Sequence, residues 1–352
     1  MPNSVDIRDT LARLCARETL SEQESEAVFD ALLSGSLEPT QIASLLSLLQ
    51  TRPITPDELT GAARVMRSRV EPVPYQPEPG TVIVDTCGTG GAPKTFNVST
   101  AAAFVIAGSR PGAGSGVERV VVAKHGNRSR TGRGSAEVLA RLGVNIDASH
   151  ETQAACLRAS GVCFCFAIHH HPAMKHAAPV RRDLGFPTVF NLLGPLTNPC
   201  GATRQLIGVY RPEFVGLLSE TLLRLGADHA IVAHSDDGLD ELTVTAPTTL
   251  GVVKGGAVTT ERVDPASFGM PGAPIGSVRA RDESHAAGIV RSVLSGDPGP
   301  AADMVVLTAA AGLVVADAYP TIGEAIDAAR ASIGSGRAMG TLERLAQASR
   351  RG

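Results

Sequence analysis

The 352-residue sequence has almost no surplus charge: 32 lysines and arginines against 35 aspartates and glutamates leave a formal net charge of −3. So balanced a chain offers no global electrostatic case for binding nucleic acid or an anionic membrane surface, and any anion site on it has to be local. Cysteine is sparse and unpaired in its spacing. Cys15, Cys87, Cys156, Cys163, Cys165 and Cys200 form no CxxC pair and lack the density of a secreted disulfide scaffold, which points to a reduced, cytoplasmic setting. No uncharged apolar stretch reaches the ~18 residues of a membrane span. The first residues, with Asp6, Arg8 and Asp9 among them, lack the basic start and apolar run of a signal peptide. There is no internal repeat and no low-complexity tract. With 43% hydrophobic and 19% charged residues, the chain has the composition of a globular protein with a sizeable core. Its length exceeds one average domain, so two lobes are expected.

Up to about Val70, apolar residues recur at helical spacing and start signals cut the run into four short helices. Ser21 with Glu24 is a capping box, and Thr55 followed by Pro56 places a cap and then the helical position that tolerates proline. Ile42, Leu45, Leu46, Leu48 and Leu49 make an apolar block too broad for a lone surface helix, which serves either as core of this helical part or as a face for the other lobe or a second subunit. Glu71 to Gly80 carries four prolines and reads as an extended linker. Beyond it, strand-like and helix-like runs alternate: strands at Val82–Asp85, Arg119–Ala123, Val162–Ala167, Leu206–Tyr210 and Ala230–Ala233, with helices at Ser99–Ala107, Ser135–Leu142 and about Phe214–Leu225. Leu242–Ala246 and Gly251–Lys254 read as short antiparallel strands, and helices follow to the end. The fold class is α/β: a small N-terminal all-helical domain, residues 1–72, and a large α/β domain, residues 73–352, with a mainly parallel central sheet.

Four segments carry chemistry. The first, Asp85 to Thr100, runs from a strand through a turn with Gly88, Gly90 and Gly91 into a helix whose start holds Asn97, Ser99 and Thr100. Glycines there bring backbone N–H groups close to an anion, and the helix start adds free N–H groups and the positive end of the dipole. The spacing fits neither the dinucleotide fingerprint nor the Walker lysine loop, and the Asn-x-Ser-Thr favours a phosphate site over a simple tight turn. The second, Val122 to Ser135, gathers Lys124, Arg128, Arg130 and Arg133 with Asn127 and hydroxyls, which suits a polyanion better than a neutral ligand or a merely solvated loop. Both leave the C-terminal ends of strands, where ligands of open α/β sheets bind. In the third, Ala167 to Arg182, a helix begun at Pro172 places His171, Met174, Ala178 and Arg181 on one face, an apolar floor with a guanidinium for a carboxylate. His169, His170 and His171 diverge in direction and have no carboxylate or cysteine at ligand spacing, which speaks against zinc. In the fourth, His234 to Glu241, the adjacent Asp240 and Glu241 are hard oxygen donors of the kind that hold Mg²⁺ and leave room for water and phosphate oxygens.

Together these segments resemble the anthranilate phosphoribosyltransferases, the tryptophan-pathway members of the nucleoside phosphorylase/phosphoribosyltransferase-like fold. The specific stretches are Lys124-His-Gly-Asn-Arg128, Phe190-Asn-Leu-Leu-Gly-Pro-Leu-Thr-Asn-Pro199 and Asp237-Gly-Leu-Asp-Glu241, and the likeness runs from the N-terminal to the C-terminal helices. The resemblance implies a homodimer joined through its helical part, an active site in the hinge, and a helical domain completed by about residues 172–188, since the helix bearing Arg181 would pack with the N-terminal helices. By matching positions, Gly88, Gly91, Asn97, Ser99, Thr100 and Lys124 would hold phosphoribosyl diphosphate, and Ser99, Asp240 and Glu241 would serve Mg²⁺. Gly88, Asn127 and Arg181 would contact anthranilate, with His125, His171 and Met174 nearby. The substrate-contacting set extends to Ala92, Thr95, Val98, Gly126, Arg128 and Thr131, and the catalytic part falls to Lys124, Asn127 and Arg181. Loss of diphosphate leaves positive charge on the sugar, and the amine needs positioning rather than activation by a Ser or Cys.

The chain departs from the family in two places. Ala92-Pro93-Lys94 stands where an aspartate usually follows the double glycine, and Arg130, Thr131, Gly132 and Arg133 replace a serine-rich stretch, each loop being one residue shorter. Lys94 and the extra arginines are therefore expected to replace part of a metal-mediated contact to the diphosphate. Two other readings compete: a pyrimidine nucleoside phosphorylase of related fold, which has no need of Asp240 and Glu241, and a non-catalytic nucleic-acid-binding relative, against which the net charge of −3 speaks.

Overall fold

A computed structural model describes residues 6–93, 95–129, 132 and 134–351. Four helices come first: α1 (Ile7–Cys15), α2 (Glu22–Leu33), α3 (Pro39–Gln50) and α4 (Pro56–Ser68). Each begins where the chain supplies an oxygen for an orphan N–H. Ser21 accepts from Glu24 N while Glu24 reaches back to Ser21 N, and Thr55 and Glu58 make the same reciprocal pair before Pro56. The apolar block of α3 is core: Ile42, Leu45, Leu46 and Leu49 are buried against α1 and a later helix, and Leu48 is half-buried. Each fully buried leucine there contributes about 1.5–3 kcal/mol.

After the extended linker the chain alternates β1 (Thr81–Gly88), α5 (Val98–Gly108), β2 (Arg119–Gly126), α6 (Ser135–Arg141), α7 (His150–Ser160) and β3 (Val162–Phe166). Three short helices follow, α8 (Ala167–His170), α9 (Ala178–Leu184) and α10 (Phe190–Leu193), before β4 (Arg204–Gly208), α11 (Glu213–Arg224) and β5 (His229–Ser235). A hairpin, β6 (Thr248–Lys254) and β7 (Ala257–Val263), leads into α12 (Glu283–Leu294), α13 (Pro300–Val315), α14 (Ile322–Gly334) and α15 (Arg337–Ala348). The strands form one sheet in the order β3-β2-β1-β4-β5-β6-β7, parallel from β3 to β5 and antiparallel thereafter. The chain builds outward from β1 on one side through β2 and β3, then returns to β1's other edge with β4. Strand order therefore reverses between β1 and β4, the kind of crevice in which open α/β sheets bind ligands.

Both faces of the sheet are covered, so strand side chains of either parity are apolar. Leu206, Ile231, Ala233 and Leu250 point into a core with α5 and α13, while Ile207, Val209, Ala230, Val232 and Val253 point into a second core with α11 and the N-terminal helices. Helices α5 and α13 are buried nearly all round, from Met304 to Val315 without a break in α13, which is the pattern of a central rather than a surface helix. Among the described residues no helix is long and apolar enough to cross a membrane.

Two sequence expectations fail here. The segment after β3 is not one helix from Pro172: it is α8, a 3₁₀ turn at Pro172–Lys175, and then α9. Pro172 removes a backbone donor and pushes His171 out of the helical region, to φ −124° and ψ 64°, and Pro179 confines the next start to the first turn of α9. Helix α9 packs on α3, and Ala177 and Val180 join the core of the N-terminal helices. Leu242–Ala246 is not a strand either. Its backbone is tied off the sheet, with Val244 O accepting from Ala273 N, and Thr243 Oγ1 lies 2.6 Å from Thr245 Oγ1.

A buried ion pair pins the helical layer. Glu58 and Arg52 expose 1% and 5% of their side chains and are paired with each other, and the Glu58 carboxylate also accepts from Leu20 N and Thr55 N, each at 2.9 Å. Removing one partner of such a pair strands the other charge in the interior. Glu58→Ala is expected to lower the unfolding free energy by about 3–5 kcal/mol, read from the denaturant midpoint. A loss below about 1 kcal/mol, the level of an exposed pair, would contradict the burial described.

Candidate active site

The site is built on the C-terminal ends of β1, β2 and β4, at the reversal of strand order. Gly88 and Gly208 are register partners at the ends of β1 and β4. The turn carrying Asp240 lies directly on them: a Cβ added to Gly208 would stand 1.7 Å from the Asp240 carbonyl oxygen, and one added to Gly88 would stand 3.3 Å from Asp240 Oδ2. Only glycine at position 208 lets the acidic turn approach so closely. Cys87, Ser99, Gly208, Asp240 and Glu241 line one small hollow, so two carboxylates of one turn and a hydroxyl from a helix start share a space. Gly91, at φ +103°, has a conformation that favours glycine and lies against the Tyr210 ring.

Lys124 is the central cation. It sits inside β2 at 3% exposure, and its Nζ donates to the Thr86 carbonyl and, at 3.1 Å, to Ser99 Oγ. Burial lowers its pKa, and the carboxylates of Asp85 and Glu241 oppose that shift. Asp85, fully buried on β1, accepts from His125 N at 3.1 Å. Burial raises its pKa to about 6, against the pull of the Asn198 amide and the Lys124 ammonium. Ser99 belongs to the first turn of α5, which opens at Asn97 in the left-handed region, φ 66° and ψ 53°, a conformation asparagine tolerates. Val98 and Thr100 are buried in that turn, and Thr100 Oγ1 has no hydrogen-bond partner among the described residues. Ala92 and Thr95, on the connecting loop, are buried as well.

A second group of residues lies beside the end of β2. The Nε2 atoms of His125 and His171 are 3.2 Å apart, and His125 Nδ1 lies 3.1 Å from the Gly194 carbonyl oxygen. Both rings are buried and both pKa values fall, to about 3 for His125 and about 4 for His171, chiefly through desolvation and then through each ring's imidazole neighbours. At neutral pH both imidazoles are uncharged. Gly126 follows, so close to Ser135 Oγ and Phe164 that a side chain has no room. Met174 is half-buried, on the 3₁₀ turn. Arg181, on α9, stacks over the Phe190 ring at 5.1 Å and donates to Asn191 Oδ1 at 3.5 Å, and burial lowers its pKa.

Lys124 and Arg128, two members of the basic loop expected from the sequence, do not share a patch. Lys124 is interior, whereas Asn127 and Arg128 are exposed, and the Arg128 guanidinium lies over Phe166 of the edge strand at 5.7 Å. Lys124 is interior because both faces of β2 are covered, and the residues past the end of the strand leave that cover. Lys94, Arg130, Thr131 and Arg133 lie outside the described residues. The three histidines separate as their adjacency dictates: His169 Nε2 lies 2.9 Å from Asp147 Oδ1, His170 is held between Glu71 O and Gln153 Oε1, and His171 meets His125. His171 and Arg181 reach their places from different elements, not from one helix face.

Several residues that shape the site escaped sequence reasoning. Asp85 stood in the quoted first segment without a role. Gly208 carries no local signal, because its partner Asp240 is distant in sequence, while Asn191 accepts from Thr188 N in its own turn and from Arg181. Asn198, in the Phe190–Pro199 stretch, donates to the Ala123 carbonyl at 2.8 Å and accepts from Cys200 N at 2.8 Å, stapling that stretch to β2.

The fold and site belong to a two-part transferase class. Residues 8–70 match the helical bundle domain of a glycosyl transferase family, and residues 80–339 match the a/b domain of such a family. A protein of Rubrobacter xylanophilus described as anthranilate phosphoribosyltransferase is 45% identical over 348 residues, covering 98% of each chain. The solved anthranilate phosphoribosyltransferase of Thermus thermophilus is 38% identical and superposes with a TM-score of 0.87, covering 97% of this chain and 99% of its own. The Saccharomyces cerevisiae anthranilate phosphoribosyltransferase, solved in complex with PRPP and Mg, is 26% identical with a TM-score of 0.84 and 97% coverage of both chains. The chain belongs to the anthranilate phosphoribosyltransferase family.

The buried titratable groups set a pH dependence. His125 and His171 have folded pKa values of about 3 and 4, below the ordinary 6.5, so between those limits the unfolded chain binds more protons and stability falls as pH drops through 6.5. Asp85 has the opposite sign: raised from 3.8 to about 6, it takes up its proton first in the folded state, and its contribution is lost as pH rises through 6. Asp85→Asn is therefore expected to steepen the fall of stability between pH ~4 and ~6 by about 1.4 kcal/mol per pH unit, measured by denaturant unfolding across that range. An unchanged slope would show that Asp85 is not the carboxyl that opposes the histidines.

Proposed function

We propose that the chain transfers the 5-phosphoribosyl group from phosphoribosyl diphosphate to anthranilate, giving N-(5-phosphoribosyl)anthranilate and diphosphate in tryptophan biosynthesis. The observation that carries this reading is the meeting of Lys124, Ser99, Asp240 and Glu241 at the β1/β4 reversal, beneath the glycine turn and the first turn of α5. A buried ammonium beside hard oxygen donors suits a diphosphate with a divalent cation far better than a neutral nucleoside. In this reading Gly88, Gly91, Asn97, Ser99, Thr100 and Lys124 receive the donor, with Ala92, Thr95, Val98 and Arg128 bordering it; Thr131, also expected to do so, lies outside the described residues. The buried Thr100 hydroxyl, with no partner among the described residues, suits an oxygen-rich ligand.

Asp240, Glu241 and Ser99 are the residues that fit Mg²⁺, since all three offer hard oxygens to the same hollow. Bound there, the ion supplies charge neutralisation for the departing diphosphate. The chain's own residues do the rest. Lys124 stabilises the developing negative charge from a site with little water, and the first-turn N–H groups of α5 add oriented dipoles. Asn127 and Arg181 take anthranilate, with Gly88, Gly126, His125, His171 and Met174 at its border. Holding the amine against C1 of the ribose is the main task, because an aromatic amine is already a neutral nucleophile.

The same reading divides the chain into a helical domain of residues 1–72, completed by 172–188, and an α/β domain of residues 73–352. The packing of α9 on α3 supports it. It also makes the chain a cytoplasmic homodimer joined through the helical part, with no nucleic-acid or membrane partner. The free cysteines, of which only Cys15 is exposed among the described residues, suit a reducing compartment.

Loss of anthranilate fluorescence on adding phosphoribosyl diphosphate and Mg²⁺ is the direct test. Gly208→Ala, which forces the Asp240 turn away, is expected to cost about 10²-fold in kcat/KM, while Arg181→Ala raises the KM for anthranilate and leaves that for the donor in place. Folded protein that leaves the fluorescence unchanged, yet cleaves thymidine or uridine in the presence of phosphate, would overturn the assignment.

A further inference from the structure

Behind the active-site strand, away from any role described so far, the fold brings three cysteines together. Cys163 and Cys165 alternate on β3 and so share one face, with their sulfurs 3.6 Å apart. Cys200, distant in sequence, places its sulfur 4.0 Å from that of Cys165, and all three sulfurs lie within 4.8 Å of one another. From this geometry we propose that Cys163, Cys165 and Cys200 form a binding site for a thiophilic, low-coordinate cation of the monovalent copper class.

Three observations support the site. The first is size: sulfurs bound at ~2.3 Å around one cation in a trigonal plane stand about 4.0 Å apart, and this triangle needs only small adjustments to reach that spacing. The second is preorganisation. Asn198 accepts from Cys200 N and donates to the carbonyl of Ala123, and Ala123 is the register partner of Cys163. The loop cysteine is thereby fastened to the strand next to the other two, so little chain entropy is lost on binding. The third is the donor set. Among the described residues this is the one group of three or more His, Cys, Asp and Glu side chains with metal-binding spacing, and it consists of sulfur alone. Structural zinc takes four ligands, whereas soft sulfur donors in low number select monovalent copper.

Environment and access agree with this assignment. The sulfurs lie at an apolar core, where an uncompensated divalent charge is costly to desolvate. Each sulfur that binds as thiolate gives its proton to solvent. Cys200 is partly exposed, so the cation enters from that side.

The test uses the full chain in the Cys15→Ser background, which removes the exposed thiol, under anaerobic conditions. Cu(I) is titrated against a chromophoric Cu(I) chelator, and Cd²⁺ is used separately to read the thiolate-to-metal charge-transfer absorption. One Cu(I) per chain is expected to be retained against the chelator, with a Cd²⁺ absorption band. Both are expected to weaken at least a hundredfold in Cys200→Ser and in Cys163→Ala, whose folding is checked by circular dichroism and thermal unfolding. Equal retention by Cys200→Ser, no retention by the Cys15→Ser protein, or formation of a Cys165–Cys200 disulfide in air with no cation uptake under anaerobic conditions would each overturn the proposal.

Discussion

An ammonium group carried on a central strand at 3% exposure has to be compensated by groups that the rest of the fold brings to it, and Lys124 draws in three elements at once. Strand β1 supplies the Thr86 carbonyl and the Asp85 carboxyl, α5 supplies Ser99 Oγ, and the turn after β5 supplies Glu241. In a low-dielectric interior each of these interactions is stronger than in water, and the loss of any one is correspondingly severe. The parallel register of β1 and β2 and the position of α5 across them are thus tied to one charge. That same charge makes the crevice suited to a polyanion in a chain whose net charge is negative.

Close approach is the second constraint, and it works through the absence of a side chain. Gly208 ends β4 beside Gly88 on β1, and the Asp240 carbonyl occupies the place a Cβ would take. The acidic turn is therefore seated on strand backbone and not on flexible side chains. Its carboxylates face Ser99 with little freedom to drift, which is what electrostatic catalysis asks of a site.

Much of this was legible in the sequence, and the reasons differ by level. The capping boxes at Ser21 and Thr55, the α/β alternation and the glycine turn after β1 are local signals, and local signals survive into the fold. The failures arose where distant contacts override local pattern. Leu242–Ala246 has strand composition, yet the Val244 carbonyl accepts from Ala273, so burial is achieved without a ladder. The segment through Pro172 and Pro179 has helical periodicity, but two prolines break it into pieces that aim His171 and Arg181 separately. Lys124 read as one member of a basic loop because its neighbours are polar, while the cover on both faces of β2 placed it inside. Asp85, Asn198 and the Cys200 contact are defined by partners far along the chain, for which one sequence holds no spacing.

The two parts of the crevice differ in electrostatic character, and that difference bears on which substrate is held where. Around Lys124 the groups are charged or strongly polar: an ammonium, two carboxylates and a hydroxyl. Around His125 burial keeps both imidazole rings neutral, and Arg181 lies over the Phe190 ring. In the proposed reading a flat aromatic amine loses little hydration on entering the second region, and Arg181 is the cation for its carboxylate. On that reading a protonated histidine pair would add positive charge on the side where the ribose becomes cationic. Neutral rings would spare the developing sugar cation a repulsion, with the positive charge of Lys124 on the side of the departing diphosphate.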